Sequence, residues 1–410
     1  MNRRDKNKDD ILTISLNNSN IVFTRYLYLK DEVKLALLIS ILNKNNDAIF
    51  WAYELFYSGF KHELFHFIWT IYYDFFATLN PSFETYLIKK HSEYLSKSFD
   101  PLQISSIIQN LIIRPFNTDV FMMRKSSELF ETVPEPAPAD NLDTQINICD
   151  YRSISHYILS NTSKSITHVE IYESIMQSFE ANGLNLAKPR LIKEFLNATV
   201  ACSNIVNPNV ILLAKMLSFV SAKNKLIKGR NFYMKVFPEE VVQYETITIR
   251  ETTTPRLESY KILRHACICD IDEHHWMSLF SLERNKKDKR TQKPLSLREI
   301  YNDKWLYHAS FSPIWFDRIK EYKGYVDYEK CLVNFTDMEL EEEFYNNYGY
   351  EPDEQQLEVK IRAGIEANDV TTTNKPKTWI DFYEQYRNTG FIIMEIDELE
   401  AMNEEPITYV

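Results

Sequence analysis

Glycine is scarce in this chain: there are 7 in 410 residues, where average usage gives roughly 7%. Glycine-rich turns let a backbone wrap closely around phosphate. The sequence has no G-x-x-x-x-G-K-S/T and no G-x-G-x-x-G, which excludes P-loop ATPase and ordinary dinucleotide-binding chemistry. Cysteine is also sparse. Cys149, Cys202, Cys267, Cys269 and Cys331 are scattered and odd in number, so no disulfide framework is expected and an intracellular, reducing compartment is. Positive charge is in deficit, with 47 basic against 58 acidic residues and a net charge of −11. That argues against a protein that coats nucleic acid with its whole surface, because phosphate binding needs a basic field. Long apolar runs are missing as well. Leu64 to Leu79 carries His66 and Asp74, and Val210 to Val220 carries Lys215, so no membrane span is expected. The opening MNRRDKNKDD does not read as a secretory signal.

What remains is a globular composition, 44% hydrophobic and 26% charged, with apolar residues mostly at helical spacing. Helices are predicted over Lys30 to Leu42, from Asp47 to a stop at Gly59, over Lys61 to Thr78, Ser82 to Leu95 and Leu102 to Ile113. The third is apolar nearly all round, which predicts burial between neighbours. Further helices fit Ile166 to Phe179, Pro189 to Ala201 and Pro208 to Ala222. Tyr244 to Thr252 alternates like a strand, and Tyr325 to Phe335 is its expected partner. Pro255 to Ala266 and Ser296 to Arg318 read as helical. Trp379, Phe382, Tyr383 and Tyr386 form one helical stripe. The fold class is therefore mainly α: an irregular helical bundle or solenoid with a small β-ribbon in the C-terminal half. No fixed-period repeat is present.

Composition shifts set the expected domains. Residues 1–19 form a disordered arm, 20–130 an N-terminal helical domain, and 131–149 a linker around the proline-rich ETVPEPAPAD. A second helical region covers 150–235, a mixed but mainly helical region 236–390, and an acidic tail 391–410. The acidic runs Asp337 to Glu358 and Glu395 to Glu405 are expected to be solvated.

One string carries a possible chemistry. His62-Glu63-Leu64-Phe65-His66 matches H-E-x-x-H on a predicted helix. Its histidines share a face and could hold Zn²⁺, with Glu63 as general base on a bound water. A third ligand would come from a following helix: Glu84 first, then His91 or Glu93. The plainer reading, and the favoured one, makes His62 and His66 polar-tipped residues in a helix interface. A second cluster, His265-Ala-Cys267-Ile-Cys269-Asp270-Ile-Asp272-Glu273-His274-His275, has ligand types but C-x-C spacing rather than a C-x-x-C knuckle. Arg284, Lys286, Lys287, Lys289 and Arg290 lie in a basic run ending at Lys293. It reads as an exposed loop or as a contact for phosphate or an acidic partner. Trp305, Tyr307 and Trp315 form an aromatic group: core by default, a partner-binding anchor if exposed. Ser310 and Ser312 beside His308 lack the G-x-S-x-G elbow of a hydrolase.

The string Ala48 to Pro81, AIFWAYELFYSGFKHELFHFIWTIYYDFFATLNP, resembles uncharacterised proteins of the nucleocytoplasmic large DNA viruses. It is also similar to the helical C-terminal part of clamp-loader-related ATPases. The second resemblance implies a helical packing unit without ATPase activity, since the nucleotide-binding core is missing. The first implies a giant-virus protein placed in the host cytoplasm, a viral factory or the virion. The expected function is a non-enzymatic helical scaffold or interaction subunit of a viral assembly, with other proteins, viral ones first, as partners and no cofactor. A zinc-dependent metallohydrolase and a nucleic-acid accessory factor are the alternatives.

Overall fold

The computed structural model describes residues 22–96 (apart from 26 and 29), 99–129, 142–160, 167–226, 229, 233–244, 304–348 and 379–404. Among them are 17 α-helices and one two-stranded antiparallel sheet, so the chain is mainly α with a small β-ribbon. The helices are α1 (Lys30–Leu42), α2 (Asp47–Tyr57), α3 (Lys61–Ile71), α4 (Phe83–Leu95), α5 (Leu102–Ile112) and α6 (Asp119–Leu129). Then come α7 (Leu142–Asn147), α8 (Tyr151–Ser160), α9 (His168–Ala181), α10 (Lys188–Ala201) and α11 (Pro208–Lys223). The last are α12 (Pro238–Val241), α13 (Trp305–Ala309), α14 (Pro313–Glu321), α15 (Met338–Tyr348), α16 (Trp379–Tyr386) and α17 (Ile396–Glu404). The strands β1 (Gly324–Asp327) and β2 (Leu332–Phe335) lie between α14 and α15.

Two compact units emerge, each discontinuous in sequence. The first takes its described residues from 22–64, 237–244 and 304–348, the second from 65–236 and 379–404. The division falls inside α3, between Leu64 and Phe65. Composition shifts along a chain do not register such interleaving. The proline-rich run 131–140, the strand expected over 245–252, the helix expected at 255–266 and both clusters at 265–275 and 284–293 lie outside the described residues.

In the first unit α1 and α2 pack together across a four-residue loop whose Asn45 Oδ1 accepts from the Asp47 N–H at 3.0 Å. Gly59 ends α2 at φ +95°, a left-handed conformation that suits glycine. Its α-carbon also faces Pro313, where an added Cβ would come within 2.5 Å of the ring. Gly59→Ala is therefore expected to cost more than about 1 kcal/mol, from strain and overlap together. A urea titration of the variant checks this, and an unchanged midpoint would contradict it.

The core of this unit is Phe23, Leu27, Trp305, Leu306, Ala309, Trp315, Ile319 and Phe344. Of the stretch Ser296 to Arg318 that reads as helical, 296–303 lie outside the described residues and the rest is two helices: α13 stops at Ala309, and Ser312 caps α14, its Oγ accepting from the Trp315 N–H. The ribbon also differs from expectation. Tyr325 to Phe335 folds back on itself, pairing Tyr325 with Asn334 and Val326 with Val333. Tyr244 instead ends a 3₁₀ turn. The intervening turn has no glycine. It is stabilised by Asp327 Oδ1, which accepts from the Glu329 and Lys330 N–H groups, and by Cys331 at φ 54°. Without an Asn-Gly or Asp-Gly pair the hairpin left little trace in the sequence.

The second unit is built around α11, which is buried along Asn209 to Ser221. Such a helix needs neighbours on every side. Tyr172 and Phe179 of α9 and Phe195 of α10 supply aromatic contacts: Tyr172 lies 5.1 Å from Phe195 and 5.9 Å from Phe219 between ring centroids. Thr167 and Glu170 form a reciprocal capping box at the start of α9. The helix expected to run from Lys61 to Thr78 changes character after Ile71: Tyr72–Phe76 is a π-helical turn. The wider turn shifts the register by a residue, which periodicity alone does not reveal. The predicted aromatic stripe is α16, with Trp379, Phe382, Tyr383 and Tyr386 all buried. The acidic run after Glu395 is the amphipathic helix α17, burying Leu399 and Met402.

Candidate functional site

His62 and His66 lie one turn apart on α3, both exposed. Glu63 lies between them and accepts from Lys30 Nζ at 3.0 Å and Lys34 Nζ at 3.2 Å, both on α1. Partial burial pushes its carboxyl up, but the two ammonium groups outweigh this and hold it below the ordinary carboxylate value. A general base works best with a pKa near the working pH, and a carboxylate held down by two lysines is poorly placed for that.

The expected third ligand is spent elsewhere. Glu84, on α4, is buried and accepts from Tyr73 Oη at 2.9 Å and from Lys215 Nζ at 2.5 Å. His91 is buried too, its Nδ1 accepting from Trp69 Nε1 at 3.2 Å. Glu93 pairs with Lys90 at 3.0 Å on its own helix. Among the described residues no three His, Cys, Asp or Glu side chains gather as a metal ion would require.

Three of these groups belong to a polar cluster in the interior of the second unit. The π turn presents Tyr73 towards Glu84, and α11 brings Lys215 to the other carboxylate oxygen. Cys202 joins from the end of α10: burial pushes its thiol up to about 12, against the lowering effect of a hydrogen bond with Tyr73. Burial and then the Glu84 charge raise the Tyr73 hydroxyl well above its ordinary value. The next residue of the turn, Asp74, takes a two-point bond from Arg124 of α6, at 3.0 and 2.6 Å. Neutral thiol and phenol beside a neutralised ion pair make a set of ties between helices rather than an activated nucleophile. Lys215 is the member that sequence reasoning passed over. A lysine in the middle of an apolar helix demands a buried anionic partner, and that was the available signal.

Trp305, Tyr307 and Trp315, offered as partner anchors if exposed, are buried. This corrects the anchor reading: Trp315 donates from Nε1 to the Thr24 carbonyl at 3.0 Å and meets Trp305 edge to face at 5.5 Å. Apolar area and the indole N–H are both satisfied inside the unit. His308 is buried against Phe23, and Ser310 and Ser312 donate to the Tyr307 and Ala309 carbonyls, as helix-end residues do. Arg284, Lys286, Lys287, Lys289 and Arg290 lie outside the described residues. Among the described residues no helix is long and apolar enough to cross a membrane. Compared with family models, curated proteins and solved structures, the chain matches none.

Proposed function

We propose that the chain is a non-enzymatic helical scaffold or interaction subunit that works inside a larger, viral assembly. The observation that carries this reading is how the candidate catalytic groups are used. Glu63 bridges to two lysines of α1, Glu84 is shared by Lys215 and Tyr73, and His91 accepts from Trp69. Each ties one stretch of the chain to another, which gives a framework its rigidity and leaves no reactive group free among those named. Exposed apolar residues support the interaction role. Leu196 and Val200, one turn apart on α10, are 46% and 74% exposed. The viral setting rests on the resemblance carried by Ala48 to Pro81.

The test is to isolate the tagged full chain, under cross-linking, from cells that express the whole assembly. Protein partners at fixed stoichiometry are expected. A monodisperse chain without partners that hydrolyses peptide or nucleic acid would overturn the reading. The metallohydrolase keeps one favourable observation, the two exposed histidines on one face of α3.

A further inference from the structure

Asn117 and Thr118 directly precede α6, and both are sealed from solvent, 0% and 1% exposed. Their backbones are engaged. The Asn117 N–H donates to the Phe75 carbonyl of the π turn at 3.0 Å, and Asn117 bridges to Asn388. The Thr118 carbonyl accepts from the Met122 N–H at 2.9 Å. Their side chains are not engaged: among the described residues Asn117 Oδ1, Asn117 Nδ2 and Thr118 Oγ1 have no hydrogen-bond partner. Turning the carboxamide over exchanges its oxygen and nitrogen and leaves both unmet. Thr118 holds the position from which a hydroxyl ordinarily caps a helix, yet its Oγ1 bonds to none of the first N–H groups of α6. The polar groups beside them serve other partners. Asp119 accepts from the Phe391 N–H at 2.8 Å and the Ile392 N–H at 3.3 Å. Asn80 Nδ2 donates to the Phe76 and Pro115 carbonyls at 2.9 and 2.7 Å.

We propose that Asn117 and Thr118 form an internal hydration site, in which water bridges their side chains at the start of α6. The unmet groups define the ligand. Nδ2 needs an acceptor, Oδ1 needs a donor, and the hydroxyl serves as either. A metal cation cannot accept from Nδ2. An anion cannot donate to Oδ1, and Asp119 already fills the first turn, where an anion would bind. A neutral molecule that both donates and accepts satisfies all three atoms, and the near-zero exposure restricts it to a small one. Water fits both conditions. Keeping it ordered costs less than leaving three polar atoms dry, because each dry atom forfeits the bonds it makes in solvent. The two α-carbons are about 3.8 Å apart, so about one or two waters, each making roughly three bonds, serve both side chains.

Asn80 shows why the assignment is specific. Its Oδ1 also has no partner, but Gly229 is packed on that oxygen, and a Cβ added there would stand 1.7 Å from it. That side of Asn80 is filled by backbone and is not assigned water. At Asn117 the water lies where three segments of the second unit meet: the start of α6, the π turn through Phe75, and the chain at Asn388.

Water ¹⁷O relaxation dispersion of the full chain counts internal waters that stay bound for longer than the protein takes to tumble. The Asn117→Leu, Thr118→Val double variant should lose an amplitude equal to about one or two waters. Thr118→Val alone keeps the side-chain shape and exchanges the hydroxyl for a methyl group. If that hydroxyl is bonded to water, the thermal transition of the unit falls by roughly 2–4 °C. If it is dry, the substitution removes an unmet group and the transition stays or rises. An undiminished dispersion amplitude in a folded double variant overturns the proposal. So does an unchanged or raised transition in Thr118→Val, which decides the matter alone should the double variant fail to fold.

Discussion

Trp315→Ala is expected to cost about 3–5 kcal/mol, the range for removing a fully buried indole. Trp315 is 1% exposed, within the cluster of Phe23, Leu27, Trp305, Leu306, Ala309, Ile319 and Phe344. Arg318 lies over its ring at 4.7 Å, and the Trp315 indole N–H donates to the Thr24 carbonyl at 3.0 Å. Alanine leaves a cavity, takes the indole donor from a carbonyl that keeps only the Leu27 N–H at 3.0 Å, and removes the edge-to-face partner of Trp305. In a thermal scan the transition of this unit should fall by on the order of 10 °C. An unchanged transition, accompanied by loss of a binding partner, would return Trp315 to the role of an exposed anchor.

The second large effect is expected at Lys215. Lys215→Met leaves the Glu84 carboxylate buried with Tyr73 as its remaining donor, and removing one partner of a buried ion pair costs about 3–5 kcal/mol. The lysine and glutamate side chains are 9% and 4% exposed, so solvent does little to screen the loss. Replacing both, as Glu84→Gln with Lys215→Met, should recover a large part of the stability, because no uncompensated charge then remains. Urea midpoints of the two single variants and the double variant measure the coupling. A cost below about 1 kcal/mol for Lys215→Met would mean that the pair does not hold α11 to α4.

Much of the helical framework was legible from the sequence because its signals are local. Gly59 and Gly183 follow helix ends at φ +95° and +89°, and Pro208 opens α11. The stripe of Trp379, Phe382, Tyr383 and Tyr386 faces a core. What escaped depends on partners distant in sequence. Lys215 was visible only as an interruption in an apolar run, and Glu84 as a possible metal ligand. Neither pattern says that residues 131 positions apart meet at 2.5 Å. The same applies to Asp119 and the Phe391 and Ile392 amides. The hairpin within Tyr325 to Phe335 was missed for a local reason, since its turn uses Asp327 and a left-handed Cys331 in place of glycine. H-E-x-x-H is the converse case. The spacing is real and lies on a helix, but spacing does not report that Glu63 is bound to Lys30 and Lys34.

Whether these polar groups serve packing or hold a metal separates a scaffold from a metallohydrolase. The direct measurement is the zinc content of the purified full chain, alongside a His62→Ala, His66→Ala variant with its fold checked by circular dichroism. Substoichiometric zinc, unchanged by the double substitution in a folded protein, is expected. About one zinc per chain, lost in a variant that keeps its fold, would contradict the scaffold reading and establish a metal site on α3.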